Sequence, residues 1–144
     1  MFKAKFERIR FSAEFGPSSL FERVQFKMRG VTDLYMDGKH FQARLSERNI
    51  PHEILSQLQH FDASKWVLRT ASVRSDSGKF VDSTWEVTVN PYRYWVTIGL
   101  GNFISTIVVK DSSGIEKCVR NGEFYDYVEK VNRELMNAES NLKA

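Results

Sequence analysis

A single cysteine, Cys118, stands among the 144 residues. It has no partner for an intramolecular disulfide and cannot alone build a cysteine-based zinc site, so both scaffolds are excluded and a reducing compartment is expected. No run approaches the roughly 18 apolar residues that a membrane-spanning helix needs. The opening Met1-Phe2-Lys3-Ala4-Lys5-Phe6-Glu7-Arg8 lacks the following apolar stretch and small-residue cleavage site of a secretory signal. A cytoplasmic protein with no membrane partner is therefore expected. Charge of one sign is also scarce: 21 Lys and Arg against 18 Asp and Glu leave a net +3. That balance permits a polyanionic partner without demanding one. Internal repeats, low-complexity tracts and interdomain linkers are missing as well.

What is present suffices for a core. Hydrophobic residues make up 42% and aromatic residues 13% of the chain, more than a disordered chain carries, and they are spread along its whole length. A chain of this size buries roughly two-thirds of its unfolded surface, so a single domain, 1–144, is expected to fold without staples.

The imperfect alternation from Phe2 to Phe11 suits a half-buried strand, and Gly16-Pro17-Ser18-Ser19 marks a turn. Leu20 to Met28 reads equally as a strand or a short helix. Over Lys39 to Asn49 the spacing becomes helical: Phe41, Leu45 and Arg48 share one stripe, and His40, Arg44 and Glu47 the next. Pro51 suits the first position of a second helix that buries Ile54, Leu55, Leu58 and Phe61. Four strands follow, at Trp66 to Arg74, Lys79 to Asn90, Tyr94 to Leu100 and Phe103 to Lys110. Their turns fall at Ser75-Asp76-Ser77-Gly78, Asn90-Pro91 and Gly99 to Asn102, and Asp111-Ser112-Ser113-Gly114 ends the run. Tyr92-Arg93-Tyr94 reads as a solvated loop, and Trp85 and Trp95 as core. Phe124, Tyr127, Val128, Val131 and Leu135 predict a C-terminal helix. The predicted fold is α+β: two helices at about 38–61 precede a four-stranded antiparallel meander, with a strand-rich N-terminal segment and a C-terminal helix.

Two constellations bear on function. Steps of four bring His40, Arg44 and Arg48 to one helix flank, a proton carrier beside two cations. Such a set suits RNA cleavage without a metal, where a base takes the 2′-hydroxyl proton and cations hold the phosphate. The same pattern equally describes an ordinary charged surface helix in which Glu47 pairs with Arg44. His40, His52 and His60 do not form a metal motif. The second set is Arg69, Arg74, Lys79, Arg93 and Lys110 interleaved with Trp66, Trp85, Tyr92, Tyr94 and Trp95, the residue types that hold single-stranded nucleic acid. Gly99-Leu100-Gly101-Asn102 lacks the following helix of a dinucleotide loop, so no cofactor is implied. A nucleophile-elbow hydrolase has no support.

The order His40-x3-Arg44-x3-Arg48-x-Ile50-Pro51, a helix with Ile54, Leu55 and Leu58, and strands ending in Ile104-Ser105-Thr106-Ile107-Val108 resembles a bacterial family of small domains akin to the BrnT and RelE toxins. Those belong with barnase, EndoU, colicin and contact-dependent-inhibition ribonucleases. The resemblance covers about 38–111, leaving 1–37 as an N-terminal extension without counterpart and 112–144 as a C-terminal helix. It implies a metal-independent endoribonuclease in which His40, Arg44, Arg48 and Thr106 are catalytic, and Arg74 and Lys110 touch phosphate. Arg93 joins these as a nucleic-acid contact from the basic and aromatic set. The implied partners are RNA, such as tRNA or mRNA, and a cognate antitoxin or immunity protein. The alternatives are a non-catalytic module binding nucleic acid or protein on the same fold, and a regulatory protein that recognises a partner through its Trp and Tyr surface.

Overall fold

Side chains that alternate along a strand are sorted onto two faces, and in this chain the sorting is by chemistry. The computed structural model describes residues 7–89, 92–110 and 133–136. They form an α+β fold with a five-stranded antiparallel sheet in the order β1-β2-β3-β4-β5. The strands are β1 Arg8–Ser12, β2 Val67–Arg74, β3 Phe80–Val89, β4 Tyr92–Gly99 and β5 Ile104–Lys110. Three helices lie between β1 and β2: α1 Ser18–Met28, α2 Lys39–Glu47 and α3 His52–Gln59.

Residues directly opposite each other in antiparallel strands share a face. The pairs Phe11 with Ala71, Leu68 with Trp85, Trp85 with Val96 and Val96 with Ile107 therefore define an inner face, and all of these residues are buried. The helices cover that face. Leu20, Phe21, Val24 and Met28 of α1, Phe41 of α2, and Ile54 and Leu58 of α3 join the sheet residues in one apolar cluster. α1 packs on β2 and α2 on β5. Phe61, just beyond α3, meets Trp66 at 5.8 Å and the edge of Trp85 at 6.1 Å, which closes the core between α3 and the sheet.

Local signals account for the joints. Gly78 closes the β2–β3 turn at φ 72°, a conformation that costs a side-chain-bearing residue about 1 kcal/mol or more. Gly38, ahead of α2, lets the Phe103 ring approach so closely that an added Cβ would lie 2.5 Å from its tip. That contact, with the Tyr35–Phe103 bridge, seats the start of α2 beside the start of β5.

Three sequence expectations change. Leu20 to Met28 is a helix, because Leu20, Val24 and Met28 recur every four residues and all three are buried. Tyr92-Arg93-Tyr94 is not a solvated loop but the first part of β4, paired with Val87 to Val89. Residues 1–37, read as an extension, contribute β1 to the sheet and α1 to the core. Of the C-terminal helix, Arg133 to Met136 are helical: Leu135 is buried in the core, and Glu134 accepts a hydrogen bond from the Phe80 N–H at 3.0 Å. The rest of that helix, the Asn90-Pro91 turn, the Asp111–Gly114 turn, Cys118 and residues 1–6 lie outside the described residues. No helix among the described residues is long and apolar enough to cross a membrane.

If α1 is structural, Leu20→Ala lowers the unfolding free energy by about 3 kcal/mol, whereas Phe26→Ala on the open side of the same helix costs less than about 1 kcal/mol. Urea titration of both variants checks this. Equal small effects would show that α1 does not belong to the core.

Candidate nucleic-acid interface

The outer face, turned away from the helices, follows from the same register. Arg8 pairs with Arg74, Arg10 with Ser72, Ser12 with Thr70, Thr84 with Thr97, Thr97 with Thr106, and Arg93 with Lys110. A bulge between Leu68 and Thr70 adds Arg69, whose side chain reaches Glu86. Among the described residues, the outer face thus carries the cations Arg8, Arg10, Arg69, Arg74, Arg93 and Lys110, together with Asp82, Glu86 and the turn residue Asp76.

The cations form two corners. At one end, Glu86 is buried, and a buried carboxylate stays ionised only when donors replace water. Arg69 donates from Nε at 3.1 Å and Nη2 at 2.6 Å to one oxygen. The Trp95 indole N–H donates at 2.8 Å, and Arg93 at 3.5 Å, to the other. Burial by itself raises the Glu86 pKa, but the Arg69 and Trp95 hydrogen bonds and the two guanidinium charges outweigh it and bring the pKa below its ordinary value. The Lys110 ammonium lies 3.6 Å above the centre of the Trp95 ring, a cation–π contact. Two arginines here share one carboxylate, with Lys110 beside them on the Trp95 ring, and the Arg69 and Arg93 side chains remain 36% and 34% exposed.

At the opposite end, Arg8 pairs with buried Asp82 at 3.1 Å. Arg74 grips Asp76 with two hydrogen bonds, 3.0 and 2.7 Å, and these hold the Asp76 carboxyl down to about 2. Between the corners runs a row of hydroxyls: Ser12, Thr70, Ser72, Thr84, Thr97 and Thr106. Thr84 and Thr97 bond each other at 2.9 Å. Thr70 Oγ1 and Ser72 Oγ are buried without a hydrogen-bond partner among the described residues.

The expected site residues are distributed unevenly over this frame. Arg93 and Lys110 come together at the Glu86 corner, and Arg74 stands at the other. Thr106 lies on the outer face, whereas α2 is anchored through Phe41 to the inner one, so His40 and Thr106 fall on opposite sides of β5. His40 is exposed and has no polar partner among the described residues. Arg44 pairs with Glu47 at 2.5 Å, and Arg48 donates to the Ile107 carbonyl at the end of α2. Trp95 is buried as expected, but on the outer face, where its indole serves Glu86. Sequence reading assigned no role to Glu86, Arg8 or Arg10. The signal was available in the polar series Asp82, Thr84, Glu86, Thr88, which alternates with Ser83, Trp85, Val87, Val89. Among the described residues, no group of three or more His, Cys, Asp or Glu is placed to hold a metal ion.

No family model, curated protein or solved structure matches this chain. The site therefore rests on its own geometry.

Glu86 contributes stability that is complete above the ordinary carboxyl value of 4.5 and is lost as pH falls through its lower folded-state value. Glu86→Ala, which strands two arginines and an indole N–H, costs about 3 kcal/mol at pH 7. The gap from the parent protein narrows in urea titrations below pH 4.5. A gap independent of pH would contradict an ionised Glu86. Ser72→Ala removes a buried hydroxyl that has no partner among the described residues and raises stability by about 1 kcal/mol. A lower urea midpoint would mean that this hydroxyl is satisfied in solution.

Proposed function

We propose that this protein binds single-stranded nucleic acid, with RNA as the first candidate, at the Glu86 corner of the outer face. The observation that carries this reading is the convergence of Arg69, Arg93 and Lys110 from three strands on the Glu86–Trp95 corner, with the half-exposed ring of Tyr92 next to Arg93 in the chain but on the other side of the same strand end. Glu86 orients the two guanidinium groups and the Trp95 ring seats Lys110, so three cations stand at set positions from which phosphates can be held. Cations that track a backbone, next to rings on which bases stack, are the means by which single strands are held without a sequence code.

The toxin-type ribonuclease implied by the resemblance is the second reading, and the observation in its favour is the exposed His40 one helical turn from Arg44. In that reading His40 moves the proton, and a cognate antitoxin is the expected partner. It ranks second because Arg44 and Arg48 are engaged within the chain and Thr106 stands on the far side of β5.

A single experiment separates the two. A labelled single-stranded RNA of about 12 nucleotides is titrated with protein over roughly 50–200 mM salt in EDTA, and the RNA is then run on a gel. The binding reading predicts intact RNA and a logarithmic salt slope near −2, as about three phosphate contacts give on a single strand. Lys110→Ala and Arg93→Ala each reduce that slope by about 0.7, and Arg74→Ala leaves it unchanged. Absent or salt-independent binding would overturn the proposal. Cleavage that survives EDTA and vanishes in His40→Ala would transfer the assignment to the ribonuclease.

A further inference from the structure

Where β4 begins and β5 ends, the end of α2 leaves an open cleft of about 560 Å³ lined by Arg48, Asn49, Tyr92, Tyr94, Val108 and Val109. Its size falls within the roughly 300–1,000 Å³ of small-molecule sites. The register sets Tyr92 and Tyr94 on the inner side of β4, opposite Val89 and Val87, and Arg93 between them on the outer side. One strand end therefore turns rings into the cleft and a cation toward the Glu86 corner.

The Arg48 guanidinium and the Asn49 backbone are held by the fold itself. Arg48 caps α2 through its backbone N–H and is tethered by a guanidinium hydrogen bond to the Ile107 carbonyl. A guanidinium has five N–H donors, so the tether orients the group without exhausting it. Asn49 is exposed and held at φ 49°, a left-handed conformation that Asn tolerates better than most residues. Its amide offers both a donor and an acceptor. Tyr94 is buried and forms a wall, whereas Tyr92 is 44% exposed and presents a ring at the mouth.

A planar ring, an amide with donor and acceptor, and a cation are what a nucleotide unit requires for its base face, base edge and phosphate. An apolar peptide side chain or an acyl chain would leave the Arg48 and Asn49 donors unmatched. We propose that this cleft takes one nucleotide unit, with its base on Tyr92, its base edge at Asn49 and its phosphate toward Arg48. The inference rests on reading the adjoining corner as a nucleic-acid interface. It adds a base-recognising pocket on the other side of the same strand end, so that a bound strand wraps the end of the sheet. A free nucleoside monophosphate has the same chemistry as one unit of a strand.

The test titrates the parent protein, Tyr92→Ala and Asn49→Gly with three probes: AMP, a single-stranded RNA of about 12 nucleotides, and an abasic oligonucleotide of the same length. Circular dichroism confirms that the variants are folded, and Asn49→Gly keeps the left-handed backbone available. Tyr92→Ala is expected to weaken binding of the RNA about tenfold or more and to leave the abasic oligonucleotide unchanged. Asn49→Gly is expected to weaken the RNA about fivefold. AMP binding that Tyr92→Ala abolishes supports the cleft with a free nucleotide as its source, and Tyr92-dependent RNA binding without AMP binding supports it with a strand as the source. If Tyr92→Ala binds RNA as the parent does, the cleft is overturned while the interface stands. Binding of AMP with neither oligonucleotide would retain the cleft and remove the interface, and binding of no probe would overturn both.

Discussion

A carboxylate set into a sheet face away from water must be surrounded by donors or lose its charge. Glu86 meets this condition with three neighbours from two other strands, and that end of the outer face is arranged around it. Arg69 reaches it through the extra residue of a β2 bulge, Trp95 stands opposite it in register, and Arg93 approaches from the start of β4. Lys110 then lies on the outer side of the Trp95 ring. The consequence is a cluster of cations held at fixed positions. Lysines and arginines on an ordinary surface lose side-chain entropy when they engage a phosphate, and those tethered to Glu86 have already lost part of it. The carboxylate lowers the net charge of the corner and in return orders it.

The fold was legible wherever hydrophobic periodicity was strong. Phe41 with Leu45 and Ile54 with Leu58 gave the segment that α2 and α3 occupy, and the β-branched and aromatic runs from Trp66 onward gave four strands. Leu20 to Met28 was ambiguous because Phe21, Val24 and Phe26 are as common in strands as in helices. The deciding fact, that Leu20, Val24 and Met28 all face the core, is a tertiary one. The placement of β1 beside β2 joins residues more than fifty positions apart, with three helices between them. Nothing local in Arg8 to Ser12 specifies that neighbour. The strand start at Tyr92 was hidden by the turn signal of Asn90-Pro91, which drew the boundary two residues too late.

The candidate site was half legible. Composition marked Arg93 and Lys110 as phosphate contacts, and the register makes them direct neighbours. Arg74 has the same chemistry but belongs to the Asp76 turn at the other end of the face. The spacing that brings His40, Arg44 and Arg48 onto one flank of α2 is real, but spacing cannot show what else competes for the arginines. Glu47 lies one turn from Arg44, and the edge of β5 presents the Ile107 carbonyl to Arg48. Edge carbonyls of a sheet need partners, and a helix that ends beside one readily supplies an arginine. Of the residues on that flank, Arg48 ties the end of α2 to β5, whereas Arg44 pairs within the helix.

Side-chain ¹⁵N–¹H spectroscopy during titration with a single-stranded RNA tests the central claim most directly, because each tryptophan and arginine of the network carries its own reporter. The account predicts movement of the Trp95 indole resonance and of the Arg69 and Arg93 Nε–H resonances, while the indoles of Trp66 and Trp85 in the core stay in place. Movement confined to α1 or to α2, or no movement at saturating RNA, would contradict it.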